Sequence, residues 1–87
     1  NMNETSSSPV QPEPFDPAEF GFDPVNNESD RWIIEASHGD LQLFLLQRSQ
    51  EELGRLHASK EAGSDYQERM DDWSRRIEAR KRELGLS

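Results

Sequence analysis

The sequence contains no cysteine and only two histidines, His38 and His57. The lack of cysteine excludes disulfides and thiolate metal ligands. Two imidazoles cannot complete a tetrahedral zinc site unless carboxylates reach them from elsewhere in the chain. We therefore expect neither a metal ion nor a cofactor.

Motifs that carry catalysis are missing as well. The chain has no glycine-rich phosphate loop, no nucleophile beside a base and no metal-ligand spacing. An active site also requires a concave pocket of several hundred Å³, which a helical chain of 87 residues does not easily enclose. We therefore predict that the protein is not an enzyme and has no small-molecule substrate.

Apolar residues are scarce, at 31% of the chain. No apolar run approaches the roughly 20 residues that span a bilayer, and the N-terminus lacks the basic and then apolar pattern of a signal peptide. These absences predict an intracellular, cytoplasmic protein that does not enter a membrane. A domain of roughly 60 residues is also near the lower limit for folding alone. We therefore expect a second chain to complete the core.

The charge is distributed unevenly. The net charge of −8 arises within residues 1–40, which hold nine acidic residues and one arginine, because residues 41–87 hold nine residues of each sign. Such an acidic segment repels nucleic acid and anionic membranes and favours basic protein surfaces. The basic cluster within residues 75–82 is interleaved with acidic residues, so we expect no binding to nucleic acid.

Residues 1–28 are predicted to form an acidic arm. Residues 1–14 are polar and contain three prolines, which predicts a disordered or extended segment. Farther along, Asp16 fits the N-cap of a short helical turn, with Pro17 at its first position and Gly21 at its end.

The arm repeats the motif Phe-Asp-Pro, at residues 15–17 and 22–24, and carries Phe15, Phe20 and Phe22. Three aromatic side chains so close together do not stay in water without cost, since burying each contributes roughly 1.5–3 kcal/mol. Two interpretations remain open. The phenylalanines fold back onto the helices of their own chain, or they dock into a groove of a partner.

The next segment allows two interpretations. The first is a short helix over residues 30–38, capped by Ser29 or Asp30 and closed by Gly39, with Asp40 capping the next helix. The second is a hairpin of strands 32–36 and 41–46, since Trp32 and the isoleucines that follow favour strands. We favour the helices because the apolar residues are consecutive and do not alternate.

Two longer helices follow, over residues 40–62 and 64–84. Gly63 is predicted to end the first, and Ser64 with Gln67 to form a capping box for the second. The unfavourable Gly54 marks a close helix crossing. The second helix has a narrow apolar stripe of the kind found in coiled coils and acid-before-base pairs four residues apart. The apolar stripe consists of Tyr66, Met70, Trp73, Ile77 and Leu84. The acid-before-base pairs of the second helix are Asp65–Arg69, Asp71–Arg75, Asp72–Arg76 and Glu78–Arg82. The first helix has one such pair, Glu51–Arg55.

Arg80 projects into this apolar stripe. A charge there either extends its side chain to water or pairs with a carboxylate across an interface. The arm residues Asp16, Glu19 and Asp23 are candidate partners for the second arrangement.

These observations predict an all-α protein, with an antiparallel helical hairpin, a short extra helix before it, and the acidic arm. Residues 29–87 form the helical domain, which a second copy or a foreign chain completes into a bundle. We predict a non-catalytic adaptor, binding subunit or small chaperone-like factor that recognises a protein through its helix seam and its Phe-rich arm. An acidic inhibitor or antitoxin-type regulator, and a structural assembly subunit, are the alternatives. The candidate protein-binding residues are Phe15, Phe20, Phe22, Trp32, Phe44, Tyr66, Met70, Trp73, Ile77, Arg80 and Leu84.

Overall fold

The computed structural model describes residues 9–86, which form one 3-10 turn and three α-helices and contain no strand. The predicted all-helical fold and the helical hairpin are confirmed, and the alternative hairpin of strands is wrong for these residues. Part of the segment predicted to be disordered or extended, residues 1–8, lies outside the described residues. The 3-10 turn spans Pro17–Phe20, and the helices are α1 (Glu28–Ala36), α2 (Leu41–Ala58) and α3 (Tyr66–Glu83).

The 3-10 turn begins and ends as the sequence predicts. The Asp16 carboxylate accepts a hydrogen bond from the backbone N–H of Ala18 at 3.1 Å. Gly21 ends the turn with a φ of 79°, a left-handed conformation that glycine adopts without a Cβ penalty.

The predicted cap of α1 is wrong. Asn27, and not Ser29 or Asp30, is the N-cap, because its extended backbone lets the side-chain oxygen accept the N–H of Asp30 at 3.0 Å. The carboxylate of Asp30 instead accepts the N–H of Asp23 at 2.9 Å, which ties the arm to the start of α1.

The joint between α1 and α2 is a tight turn. Helix α1 ends at Ala36, earlier than predicted, and His38 and Gly39 both have positive φ angles, 52° and 73°. Asp40 caps α2 as predicted, since its Oδ2 accepts the N–H of Leu43 at 2.8 Å. The turn therefore places Asp40 at the start of the longer hairpin.

The end of α2 differs from the prediction. The helix stops at Ala58, and Lys60 takes the left-handed conformation expected of Gly63, with a φ of 63°. The N–H of Glu61 donates to the carbonyl of Leu56 at 2.7 Å, and that of Lys60 to His57 at 3.0 Å. This pair of bonds is the Schellman motif, which satisfies the last carbonyls of the helix.

The predicted capping box of α3 does not form. Asp65 occupies the N-cap position without a side-chain cap bond, and the Gln67 side chain donates instead to Asp71 at 3.0 Å. At the other end, Gly85 closes the helix as predicted, with a φ of 79° and an N–H bond to the carbonyl of Arg82 at 3.0 Å.

Of the predicted acid-before-base pairs, Asp72–Arg76 is present at 3.0 Å. The other predicted pairs are absent among residues 9–86. Arg55 and Arg75 pair instead with acidic residues three positions away. The observed pairs of this spacing are Glu52–Arg55, Asp72–Arg75, Glu78–Lys81 and Arg80–Glu83.

The buried core consists of a few apolar side chains from all three helices: Ile33, Leu43, Phe44, Leu53 and Ile77. Gly54 lies where α2 faces α3, but a Cβ built there would stand 3.8 Å from Cε of Met70. That distance is an ordinary van der Waals contact, so the helix crossing does not require glycine at this position.

Candidate protein-binding surfaces

Arg80, predicted as an unusual charge in the apolar stripe, forms a buried ion pair with Asp40. Its Nε donates to Oδ2 of Asp40 at 2.9 Å and its Nη2 to Oδ1 at 2.7 Å. Its Nη1 donates to Oε1 of Glu83 at 2.8 Å. Asp40 is fully buried and Arg80 is 9% exposed, so the guanidinium does not extend to water. The two-pronged geometry is the strong form of an arginine–carboxylate bond.

The carboxylate of Asp40 joins three parts of the chain. Besides Arg80 of α3 and the N–H of Leu43 in α2, it accepts the N–H of Glu13 in the arm at 2.8 Å. The hydrogen bonds from Arg80, followed by those from Glu13 and Leu43, hold the pKa of Asp40 at about 2, below its usual 3.8, although burial opposes this shift. The same pairing raises the pKa of Arg80.

The arm carboxylates proposed as partners of Arg80 lie elsewhere. Asp16 caps the 3-10 turn, and Asp23 accepts hydrogen bonds from the side chain and backbone of Asn26, which lower its pKa. Within residues 9–86, Glu19 forms no ion pair. The sequence contained a signal for the true partner, because an antiparallel hairpin brings the N-cap of its first helix beside the last turn of its second.

The three phenylalanines of the arm surround Phe44, which is fully buried. The centroids of their rings lie 4.6 Å (Phe15), 5.4 Å (Phe20) and 5.0 Å (Phe22) from that of Phe44. These are normal distances for packed aromatic rings. The fold-back arrangement is thus the one seen in the structure, and the half-buried phenylalanines are already in contact with their own chain.

The apolar stripe of α3 packs largely within the chain. Ile77 is buried, and Met70 and Leu84 are half-buried. The ring of Tyr66 stacks on that of His57 in α2, with centroids 3.7 Å apart. Trp73 is half-buried, and the guanidinium of Arg76 lies 5.0 Å from its ring centroid. The stripe is therefore a contact between α3 and α2.

Trp32 is different, because 62% of it is exposed although it lies on an ordered helix. It stands at the rim of a groove of about 700 Å³ between α1, α2 and α3. We call this the Trp32 groove; its lining includes Trp32, Gln47, Gly54, Met70 and Ile77. The Oε1 atom of Gln47 is buried and has no hydrogen-bond partner among the described residues. A buried acceptor in that state is uncommon in folded proteins.

A second groove, of about 510 Å³, lies along another face of α2. We call it the arginine groove. Its floor is apolar, from Phe22, Leu53, Leu56 and Trp73, and its rim is formed by charged residues. No local pattern groups these rim residues, because Arg69 on α3 lies 21 positions from Arg48 on α2. The rim consists of Arg48, Glu52, Arg55 and Arg69.

Among residues 9–86, no helix is long and apolar enough to cross a membrane. The same part of the chain holds no cluster of histidine and carboxylate residues suited to a metal ion. Comparison with protein-family models, with curated proteins and with solved structures finds no match to this chain.

Proposed function

We propose that the protein is a non-catalytic interaction module that binds a segment of another protein in the Trp32 groove. The observation that carries this proposal is the exposure of Trp32, at 62%, on a helix with a side-chain cap at its N-terminus. Tryptophan is among the residues that contribute most to binding when a partner covers them. Most of the Trp32 side chain is not packed against the rest of the protein. A partner that covers it would therefore gain affinity without breaking contacts within the fold.

The groove beside Trp32 supports the same proposal. Met70, Ile77 and Gly54 offer an apolar floor, and the bare position of Gly54 leaves room for a side chain of the partner. Gln47 lines the same groove, and its Oε1 is buried without a hydrogen-bond partner among the described residues. A partner donor that reaches this atom would add a hydrogen bond worth about 0.5–1.5 kcal/mol, whereas an apolar ligand would leave it as it is in the free protein. The site would therefore favour a segment with one donor among apolar residues.

Photo-crosslinking tests this proposal. A benzophenone-bearing amino acid is placed at Trp32 in one version of the full chain and at Val25 in a control. Val25 is 79% exposed and lies outside the groove. We expect one defined cross-linked partner from position 32, lost when excess unlabelled protein competes but retained with excess Trp32→Ala protein. Equal labelling from both positions, or no labelling from position 32, would contradict the proposal.

Tryptophan fluorescence gives a second readout. The chain has two tryptophans, so Trp73→Phe leaves Trp32 as the only tryptophan, and its emission is followed with excitation that avoids tyrosine. Addition of the cross-linked partner in purified form should shift the emission to the blue as Trp32 leaves water. Sedimentation of the protein alone then tests the predicted homodimer, which stays a prediction. A dimer that Trp32→Ala dissociates would identify a second copy as the occupant of the groove.

A further inference from the structure

We infer that the arginine groove is a second docking site, and that its ligand is an acidic amphipathic segment of a partner protein. The groove combines an apolar floor with a basic rim, in a chain whose net charge is −8. Three arginines and one glutamate form the charged rim. It is thus a local positive surface on an acidic protein.

The arginines of the rim differ in how they are paired. Arg55 pairs with Glu52 on its own helix, and 74% of its side chain is exposed. Arg48 and Arg69 form no ion pair with any residue in the range 9–86; the guanidinium of Arg48 lies 5.8 Å from the ring centroid of Phe20. Two exposed arginines of the groove, Arg48 on α2 and Arg69 on α3, therefore have no carboxylate partner within the described part of the chain.

The chemistry of the groove defines the occupant. A guanidinium binds a carboxylate through two parallel hydrogen bonds, which lysine cannot reproduce. The floor between the two arginines, with Leu53, Leu56 and Trp73, requires apolar side chains to displace its water. A short segment with aliphatic or aromatic residues along one face and carboxylates on both sides of that face satisfies both requirements.

Nucleic acid fits this surface less well, although arginine and tryptophan also bind phosphates and bases. Glu52 stands in the rim, and Glu68 and Asp72 lie beside Arg69 and Trp73 on α3. A continuous phosphate backbone would pass these carboxylates, whereas a peptide can place its few carboxylates beside Arg48 and Arg69 alone. The charge pattern therefore favours a peptide.

Binding of designed peptides tests the inference. The first probe is a helical peptide with leucines along one face and glutamates on both sides of it. The second replaces every glutamate by lysine, the third replaces every leucine by alanine, and the fourth probe is a single-stranded oligonucleotide. We expect the first probe to bind at least about tenfold more tightly than each of the others, a difference of about 1.4 kcal/mol. Its affinity should fall as salt is added, because the contacts are exposed charges.

Charge-matched variants locate the site. Arg48→Gln with Arg69→Gln removes the two unpaired rim charges and should weaken binding of the first probe by at least about tenfold. Arg31→Gln with Arg82→Gln removes the same charge from exposed positions outside the groove. This control should change the affinity for the first probe by less than about twofold. Trp32→Ala should also have little effect. Loss of partner binding through the Trp32 groove would therefore leave this result unchanged, and the two proposals fail separately.

Four outcomes would overturn the inference. The first is equal binding of the lysine peptide, which would mean that only the apolar floor matters. The second is equal or tighter binding of the oligonucleotide, which would make the groove a nucleic-acid site. The third is no binding of any probe to the folded protein, as judged by circular dichroism. The fourth is self-association that Arg48→Gln with Arg69→Gln abolishes, since the acidic ligand would then belong to a second copy of this chain.

Discussion

The two ends of the α2–α3 hairpin differ in how their polar groups are satisfied. At the Asp40 end, one buried carboxylate caps α2, pairs with Arg80 of α3 and holds the arm through Glu13. At the turn end, Asp65 provides no side-chain cap, and Lys60 takes a left-handed conformation. One end is joined by buried charged bonds between distant segments, and the other by local backbone bonds and the stacked rings of His57 and Tyr66.

This difference indicates where the fold depends on tertiary structure. A buried ion pair contributes little net stability compared with well-packed apolar residues, but removal of one partner leaves an unpaired buried charge. The Asp40 end should therefore be sensitive to single substitutions, whereas the turn end should tolerate them or be improved by them.

Substitution of Asp40 should have the largest effect. Asp40→Asn leaves the buried guanidinium of Arg80 with Glu83 as its only carboxylate partner within residues 9–86 and should lower the free energy of unfolding by an amount near the lower end of about 3–5 kcal/mol. Asp40→Ala should cost about 1 kcal/mol more, because the N-cap of α2 is lost as well. Urea denaturation followed by circular dichroism measures the free energy of unfolding of both variants.

Asp65→Ala, at the turn end, is the matched control. Since Asp65 makes no side-chain cap bond, its loss should change the free energy of unfolding by less than about 0.5 kcal/mol. If Asp40→Asn and Asp65→Ala had equal effects, the proposed contrast between the two ends would be wrong.

The second-largest effect should come from acid, which lowers the stability contributed by the Asp40 end. The pKa of Asp40 is about 2 in the folded protein, whereas it is 3.8 for an aspartate that makes no such contacts, as in the unfolded chain. A lowered folded-state pKa gives stability that is complete above the unfolded value and is lost as the pH falls from about 4 towards 2. The loss should be about 2 kcal/mol. Urea denaturation at a series of pH values measures this loss. The free energy of unfolding of Asp40→Asn should change less with pH between about 4 and 2 than that of the wild type.

Gly54→Ala should stabilise the half of α2 nearer the turn. The added methyl group meets Met70 at ordinary contact distance, and alanine favours helix over glycine by about 1 kcal/mol. We expect the free energy of unfolding to rise by about 0.5–1 kcal/mol. A decrease would show that the α2–α3 crossing requires glycine at this position. The variant also fills part of the Trp32 groove, so it should weaken binding of the partner while it stabilises the fold.

Lys60→Gly should give the smaller of the two stabilising effects. A left-handed conformation costs an L-residue about 1–2 kcal/mol, which glycine avoids, but glycine loses more backbone entropy on folding. The net gain should be about 0.5 kcal/mol, measured by thermal denaturation. Gly85 already closes α3 with the same backbone geometry, but a Cβ built there would stand 3.2 Å from Cβ of Pro9. The reciprocal variant Gly85→Lys should therefore destabilise by more than Lys60→Gly stabilises.

The local features of the fold could be read from the sequence. The Asp16, Asp40 and Gly85 caps form where predicted, because each depends on one side chain or one backbone angle and the residues beside it. The helical stripe of α3 was also found, since periodicity identifies the face of a helix that is buried. The end of α2 was missed because Lys60 adopted a conformation for which Gly63 was the expected residue.

By itself, then, the sequence determined the helices, the caps at Asp16, Asp40 and Gly85, and the need to bury the phenylalanines of the arm. Only the tertiary structure decided that Arg80 pairs with Asp40, that Trp32 stays exposed, and that Arg48 and Arg69 face one groove. Helical periodicity shows which side of a helix seeks a neighbour, but the register between two helices decides which neighbour it meets. That register depends on the packing of residues far apart in the chain, which no local pattern records.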